Sequence, residues 1–203
     1  MPVMSGNPDF DTYRLSEDHE AIREAVRAVA QDKIAPWAAA VDEEARYPQE
    51  AHDALVASDF FAPHVGEEYG GVGADALAAS IVIAVFSRMA NSSMPVILAG
   101  SEDLKTPYLT PLAAGEPTFS YGLSEREAGS DTAAMRCRAV RDGDDWVLTG
   151  QKSWITNAGV SQFYTVLAVT DPDGPRGNNI TAFVVEKDDP GFTFGEKERK
   201  LGI

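Results

Sequence analysis

Apolar positions in the first part of the chain recur at the spacing of an α-helix. Ser16 can cap the first predicted helix, and Pro36 is expected to end or bend it, since proline removes an intrahelical hydrogen bond. The apolar positions on one face of this helix are Ile22, Val26, Val29 and Ala30.

Three further helical segments are expected before residue 117. One begins near Pro48, and another spans about residues 75–88. The segment after Ser101 contains Pro107 and Pro111, each of which costs roughly 3 kcal/mol inside a helix. We therefore expect that last segment to be kinked or broken.

From Thr118 onwards the pattern changes to short runs of β-branched and aromatic residues between Gly, Asp and Pro turns. The predicted strands are 138–141 and 146–149, which form a hairpin, then 163–170 and 180–186, and one that begins at Phe192. The chain is predicted to be α+β: an amino-terminal α-helical domain at 1–116, then an antiparallel β-barrel or sandwich domain at 117–203.

The β pattern continues to Ile203 without a terminating element. A sheet that stops in mid-pattern has an unpaired edge. We therefore expect either a truncated chain or a partner chain that supplies the remainder.

Charge and composition exclude several classes of function. The formal charge of −15 gives a field that repels nucleic acid and anionic membranes. The longest apolar run, 76–86, is too short to span a bilayer, and the first residues do not form a secretory signal. Cys137 is the only cysteine and is expected to be a small apolar filler, which fits a cytoplasmic location. The three histidines have no metal-ligand spacing, so no metal site is predicted.

Two stretches carry candidate chemistry. The loop 121–131 is dense in hydroxyl and glycine positions, so its backbone can approach an anionic or heteroaromatic ligand closely. The stretch 154–157 places a Trp beside a hydroxyl residue, as in the wall of a ring-binding pocket. From the residues alone, a capped polar turn and a tryptophan buried in the β core remain the commoner interpretations.

Taken together, the two stretches resemble one family in order and spacing. The motifs are Tyr121-Gly122-Leu123-Ser124-Glu125, then Gly129-Ser130-Asp131, then the run 150–159, whose sequence is GQKSWITNAG. They resemble the acyl-CoA dehydrogenases. The resemblance extends back to the run 68–73 and forward to the run 200–203, and it covers nearly the whole chain.

The resemblance implies a helical domain, a β domain and a further helical domain, with FAD between the last two and reaching a neighbouring subunit. It implies α,β-dehydrogenation of an acyl-CoA thioester to a trans-2-enoyl-CoA in fatty-acid β-oxidation. In that family a glutamate takes the α-proton, the β-hydride passes to flavin N5, and electron-transfer flavoprotein removes the electrons. A homo-oligomer is also implied.

The resemblance also assigns roles to individual residues. Ser124 would donate to the pyrimidine edge of the flavin, Trp154 would flank the ring, and Thr156 would hydrogen-bond near N5. Gly129 would permit close approach, and Ser130 would contact both the acyl-CoA and the flavin phosphates. The full set implied to bind the cofactor is Tyr121, Leu123, Ser124, Gly129, Ser130, Trp154, Ile155 and Thr156.

The chain departs from the family pattern in several places. Arg126 and Glu127 stand where many members have Pro and Gly, and the stretch between Val82 and Met94, which helps to wall the acyl pocket, is shorter. No glutamate matches the family's base, which is expected beyond Ile203. The alternatives are a non-catalytic flavin- or acyl-CoA-binding subunit and an acyl-CoA oxidase-like or nitroalkane-oxidising relative.

Overall fold

The computed structural model describes residues 14–86, 91–116 and 118–198. The predicted helix end near Arg88, part of the shortened stretch 86–91 and the motif at 200–203 lie outside these residues. The α-helices of the described chain all precede the sheet: α1 Glu17–Val29, α2 Ala35–Glu44, α3 Gln49–Val56, α4 Ala76–Phe86, α5 Met94–Ala99 and α6 Glu102–Ala113.

Local signals placed the first helices correctly. The Oγ atom of Ser16 accepts a hydrogen bond from the amide of His19 (3.3 Å) at the start of α1, and Val26 is fully buried. The α-helix then gives way to a π-helical turn, Ala30–Ile34, and Pro36 lies in the first turn of α2. The predicted interruption at Pro36 is therefore confirmed.

Helix α6 shows that the segment after Ser101 is not broken, while a kink at its prolines stays a prediction. It runs continuously through Pro107 and Pro111. Leu109 and Leu112 are both fully buried, so core packing outweighs the missing hydrogen bonds. The carbonyl groups that lose their donors belong to Asp103 and Pro107, two exposed residues, where water can supply the missing donor.

The strands are β1 Phe119–Gly122, β2 Arg138–Asp142, β3 Asp145–Thr149, β4 Phe163–Val169 and β5 Ile180–Glu186. β2 and β3 form the predicted hairpin, and β5 pairs antiparallel with β4 along its whole length. On the other side of β4, β1 pairs with its first half and β2 touches its end.

The α+β class is confirmed, but the purely antiparallel sheet was wrong. Both β1 and β2 run parallel to β4, so the sheet is mixed. Parallel pairing requires a long connection, and the hairpin together with two long loops separates β1 from β4 along the chain.

The strand predicted to begin at Phe192 is absent from the described residues, in which 192–198 has no regular structure. Phe192 and Phe194 pack against each other with ring centroids 4.8 Å apart, and the centroid of Phe192 lies 4.9 Å from that of Tyr164. The aromatic side chains therefore cover one face of the sheet instead of extending it.

One hydrophobic core joins the helices to the sheet. Tyr108 on α6 packs edge-on against Phe163 of β4, with a centroid distance of 4.9 Å, and its hydroxyl donates to Glu186 of β5 (3.1 Å). The buried members of this core are Leu55, Phe61, Ala62, Val65, Tyr69, Val96, Leu109, Leu112 and Phe119. Among the described residues, no helix is long and apolar enough to cross a membrane.

Candidate functional site

Two long loops leave the sheet and meet beside β1. One loop, 123–137, follows β1, and the other, 150–162, follows β3. They are joined where the amide of Ser153 donates to the carbonyl oxygen of Ser124 (2.9 Å). An open cavity of about 320 Å³ lies between them, lined by Ser92, Tyr121, Leu123, Ser124, Ser153, Trp154, Ile155 and Thr156.

The structure brings six of the eight residues predicted to bind the cofactor to this one cavity. Those six are Tyr121, Leu123, Ser124, Trp154, Ile155 and Thr156. Gly129 and Ser130 are exposed and do not line it. They lie farther along the same loop, beside Asp131, which forms an ion pair with Arg176. The binding roles of all eight remain predictions.

Two cavity residues were missed by the sequence reasoning. Ser153 lies inside the motif 150–159, where the position of a hydroxyl between Lys152 and Trp154 was the available signal. Ser92 comes from the helical part of the chain, and the Oγ1 atom of Thr165 on β4 donates to its carbonyl oxygen (2.9 Å). No local pattern marks Ser92, since only the tertiary fold brings it beside β1.

Trp154 lines the cavity and is largely exposed to solvent. It is 67% exposed, and its φ of 58° lies in the left-handed region. A side chain in that region costs about 1–2 kcal/mol relative to right-handed backbone. Strain of this kind is characteristic of functional sites, where surrounding contacts hold a residue in an unfavourable conformation.

A buried chain of hydroxyl groups is hydrogen-bonded to the backbone of Thr156. Ser120, which is 1% exposed, donates from Oγ to the carbonyl oxygen of Thr156 (2.6 Å). Its Oγ atom lies 2.8 Å from that of Ser161, which accepts from Oγ1 of Thr118 (2.9 Å). Since all three hydroxyl residues are buried, this arrangement fixes one wall of the cavity to β1.

The change Ser120→Ala should lower the free energy of unfolding by about 1–3 kcal/mol, because it leaves buried polar groups unpaired. The change Ser130→Ala is the control, because Ser130 is exposed. We expect its free energy of unfolding to stay within about 0.5 kcal/mol of wild type. Urea unfolding of both variants measures the difference. Equal stability of the two variants would contradict the assigned role of Ser120.

The described residues that line the cavity carry no charge, but two charged residues adjoin them in sequence. The eight lining residues are all uncharged, whereas Glu125 and Lys152 lie directly next to lining residues in sequence. Burial acts to raise the pKa of Glu125, but hydrogen bonds from Lys152 and from the backbone amides of Arg136 and Cys137 outweigh it. The pKa of this carboxyl therefore lies below its ordinary value, and the group is ionised at neutral pH.

Cys137 is not a nucleophile of this site. It is 5% exposed and packs with Ala139 and Ala168, as the sequence predicted for an apolar filler. Burial raises the pKa of its thiol. A raised pKa keeps the group in the unreactive thiol form at neutral pH.

The lining fits a planar heteroaromatic ring with polar edges. Trp154 offers an aromatic face, and Leu123 and Ile155 offer apolar contact. The hydroxyl groups of Ser124 and Thr156 provide donors and acceptors from the two opposite loops. This combination of apolar surface with a few polar groups is typical of cofactor sites.

Comparison with known proteins places this fold in one family. The family model of the acyl-CoA dehydrogenase N-terminal domain matches residues 16–116, and that of the middle domain matches residues 120–203. The chain is 56% identical over 211 residues to the probable acyl-CoA dehydrogenase FadE25 of Mycobacterium tuberculosis, an alignment that takes in 98% of this chain and 54% of the relative. It is 35% identical over 204 residues to the short-chain specific acyl-CoA dehydrogenase of Clostridium acetobutylicum, with 94% and 53% covered.

A solved structure gives the same result. The glutaryl-CoA dehydrogenase of Mycobacterium smegmatis in complex with FADH2 superposes with a TM-score of 0.83 and 35% identity, covering 95% of this chain and 51% of that one. The chain thus spans about half the length of the curated relatives it matches. With both family models matching in order along nearly all of its length, the chain belongs to the acyl-CoA dehydrogenase family.

Proposed function

We propose that this chain forms the flavin-ring pocket of an FAD-dependent acyl-CoA dehydrogenase. The observation that carries the proposal is the single cavity in which six residues of the family motifs meet. The name of the M. smegmatis relative includes FADH2, which supports FAD as the ligand of this cavity. Bound FAD would supply an acceptor for the hydride that leaves the β-carbon of an acyl-CoA thioester.

Each wall of the cavity has a distinct role in this proposal. Trp154 covers one face of the ring, where its exposed indole can stack. Ser124 would hold the pyrimidine edge of the ring and Thr156 the part near N5, where a hydrogen-bond donor favours the negative charge of a reduced flavin. The buried Ser120 acts on Thr156 only through the backbone carbonyl that it holds.

The exposed loop 129–131 completes the proposed site outside the ring cavity. Gly129 has no atom within 4 Å of the position that a Cβ would take, so a ligand can approach its backbone closely. Ser130 is exposed beside it and would meet the flavin phosphates and the acyl-CoA. Because the net charge of −15 opposes an anionic ligand, these local donors have to hold the phosphates.

None of the described residues that line the cavity is a carboxylate. The proposal therefore assigns no catalytic base to them. The same observation favours a second candidate function, a ring-binding chain that does not itself remove the α-proton of the substrate.

The proposal includes an acyl-CoA substrate and electron-transfer flavoprotein as the electron acceptor. It also includes a homo-oligomeric assembly and a cytoplasmic location. They rest on the family and on the names of the relatives, two of which act on acyl-CoA thioesters by name. The length of the acyl chain is left open, since the stretch that helps to wall the acyl pocket lies partly outside the described residues.

Anaerobic addition of octanoyl-CoA to the FAD-saturated chain tests this function. We expect the chain to keep its flavin absorption after gel filtration. Octanoyl-CoA alone should leave that absorption unbleached, because the described residues that line the cavity include no carboxylate. Bleaching would show that a base reaches the cavity from elsewhere in the chain, and reversal by oxygen would indicate an oxidase. A colourless protein would contradict the proposed function.

A further inference from the structure

A buried ion pair lies directly behind the two walls of the cavity. The Nζ atom of Lys152 is 2.8 Å from Oε1 of Glu125, and both side chains are only 9% exposed. In sequence, Glu125 follows the wall residue Ser124 and Lys152 precedes the wall residue Ser153. The pair therefore links the two loops where the first wall ends and the second wall begins.

Glu125 also binds a third segment, the backbone at residues 136–137. Its Oε2 atom accepts from the amide of Arg136 (2.7 Å), and its Oε1 atom accepts from the amide of Cys137 (2.9 Å). Its own backbone closes a tight turn, with mutual hydrogen bonds to Ala128 of 3.0 and 3.1 Å. The carboxylate thus fixes both ends of the loop that carries the Ser124 wall.

Lys152 uses all three of its N–H donors in the same place. Besides Glu125, it donates to the carbonyl oxygen of Leu123 (3.2 Å) and approaches the sulfur of Met135 (3.8 Å). The Leu123 carbonyl belongs to a cavity residue, so the ammonium group holds the first wall directly. Lys152 itself is continuous with the second wall, 153–156.

A buried ion pair is weak evidence of stability, because the desolvation of both ions offsets their attraction. Its best-supported use is to select one register of the elements it joins. Here the pair is also neutral as a unit, so it spaces the walls without adding net charge to the cavity.

We propose that Glu125 and Lys152 are positioning residues that set the separation of the Ser124 wall from the Ser153–Thr156 wall, and hence the width of the slot for the flavin ring. The statement that the slot accepts a flavin ring rests on the proposed function. The spacing of the walls does not depend on it.

The test compares four variants of the full chain: Glu125→Gln, Lys152→Met, the double variant of both, and Glu127→Gln. The double variant removes the link without leaving an unpaired buried charge, so it keeps the test decisive if the single variants fail to fold. Glu127 is the matched control, since its exposed carboxylate in the same loop forms an ion pair with the exposed Arg136 side chain.

Hydrogen exchange, measured without ligand, reports how often the hydrogen bond between the Ser153 amide and the Ser124 carbonyl opens, and this bond joins the two walls. In the double variant, the Ser153 amide should exchange about tenfold faster or more, with the amides of β4 and β5 unchanged. FAD binding to the same protein should weaken by about tenfold. Glu127→Gln should behave as wild type in both measurements.

Wild-type exchange at Ser153 in the double variant would overturn the inference. Acceleration of all amides together would do so too, because it would indicate a role in global stability alone. If the wild-type chain fails to bind FAD, the proposed function fails, while the exchange result still decides whether the ion pair spaces the walls.

Discussion

Replacing Trp154 by alanine is expected to weaken flavin binding by about tenfold to a hundredfold. Stacking of a heteroaromatic ring on an aromatic side chain contributes about 1–3 kcal/mol, and about 1.4 kcal/mol corresponds to tenfold in affinity. The indole is 67% exposed, so its removal should change the free energy of unfolding by no more than about 0.5 kcal/mol. Fluorescence titration with FAD and urea unfolding measure the two effects separately.

The change Trp146→Ala is the matched control for this prediction. Trp146 is also partly exposed, at 42%, but it lies on the hairpin strand β3 and packs against Phe183 with a centroid distance of 5.6 Å. Its loss should cost some stability and leave flavin affinity unchanged. Equal flavin affinity of the Trp154→Ala variant and the wild type would remove the indole from the proposed site.

Replacing Gly150 by alanine is expected to destabilise the chain by about 3 kcal/mol or more. Gly150 has a φ of 153°, and a Cβ there would lie 2.7 Å from the Cα atom of Cys137. Both the backbone strain and the forced displacement of a packed segment cost about 1–3 kcal/mol each. The Cys137 amide donates to Glu125, which we propose positions the Ser124 wall of the cavity. Displacement of Cys137 should therefore lower flavin affinity together with stability.

The change Gly195→Ala separates this effect from the general effect of adding a methyl group. A Cβ at Gly195 meets no atom within 4 Å, and its φ is not in the left-handed region. We expect its free energy of unfolding to stay within about 0.5 kcal/mol of wild type in urea. A Gly150→Ala variant of similar stability would contradict the close packing of these two loops.

Much of the fold was predictable because its signals are local. The cap at Ser16, the interruption at Pro36 and the β2–β3 hairpin each depend on a few neighbouring residues. The errors arose where distant contacts decide. The burial of Leu109 and Leu112 keeps α6 continuous despite its two prolines.

The direction of β1 relative to β4 was another nonlocal property. Alternation of apolar residues identifies a strand but carries no information on its partner, so parallel pairing could not be inferred. The predicted strand at Phe192 failed for a related reason, since its aromatic residues satisfy the pattern by packing on Tyr164.

The candidate site was predictable to the extent that its residues lie in two motifs. Tyr121, Ser124, Trp154 and Thr156 meet because the loops after β1 and β3 converge. Ser92 could not be found, since it reaches the cavity from the helical part of the chain. The supporting contacts of Ser120 and Lys152 are likewise visible only in the folded molecule.

Competition between riboflavin and adenosine for the FAD site tests the central claim most directly. The cavity of about 320 Å³ is formed by residues assigned to the flavin ring, and none of them is assigned to the adenosine part of FAD. The account predicts that riboflavin displaces FAD and quenches tryptophan fluorescence in the wild type but not in the Trp154→Ala variant, whereas adenosine does neither. Failure of riboflavin to bind, or displacement of FAD by adenosine as effectively as by riboflavin, would contradict it.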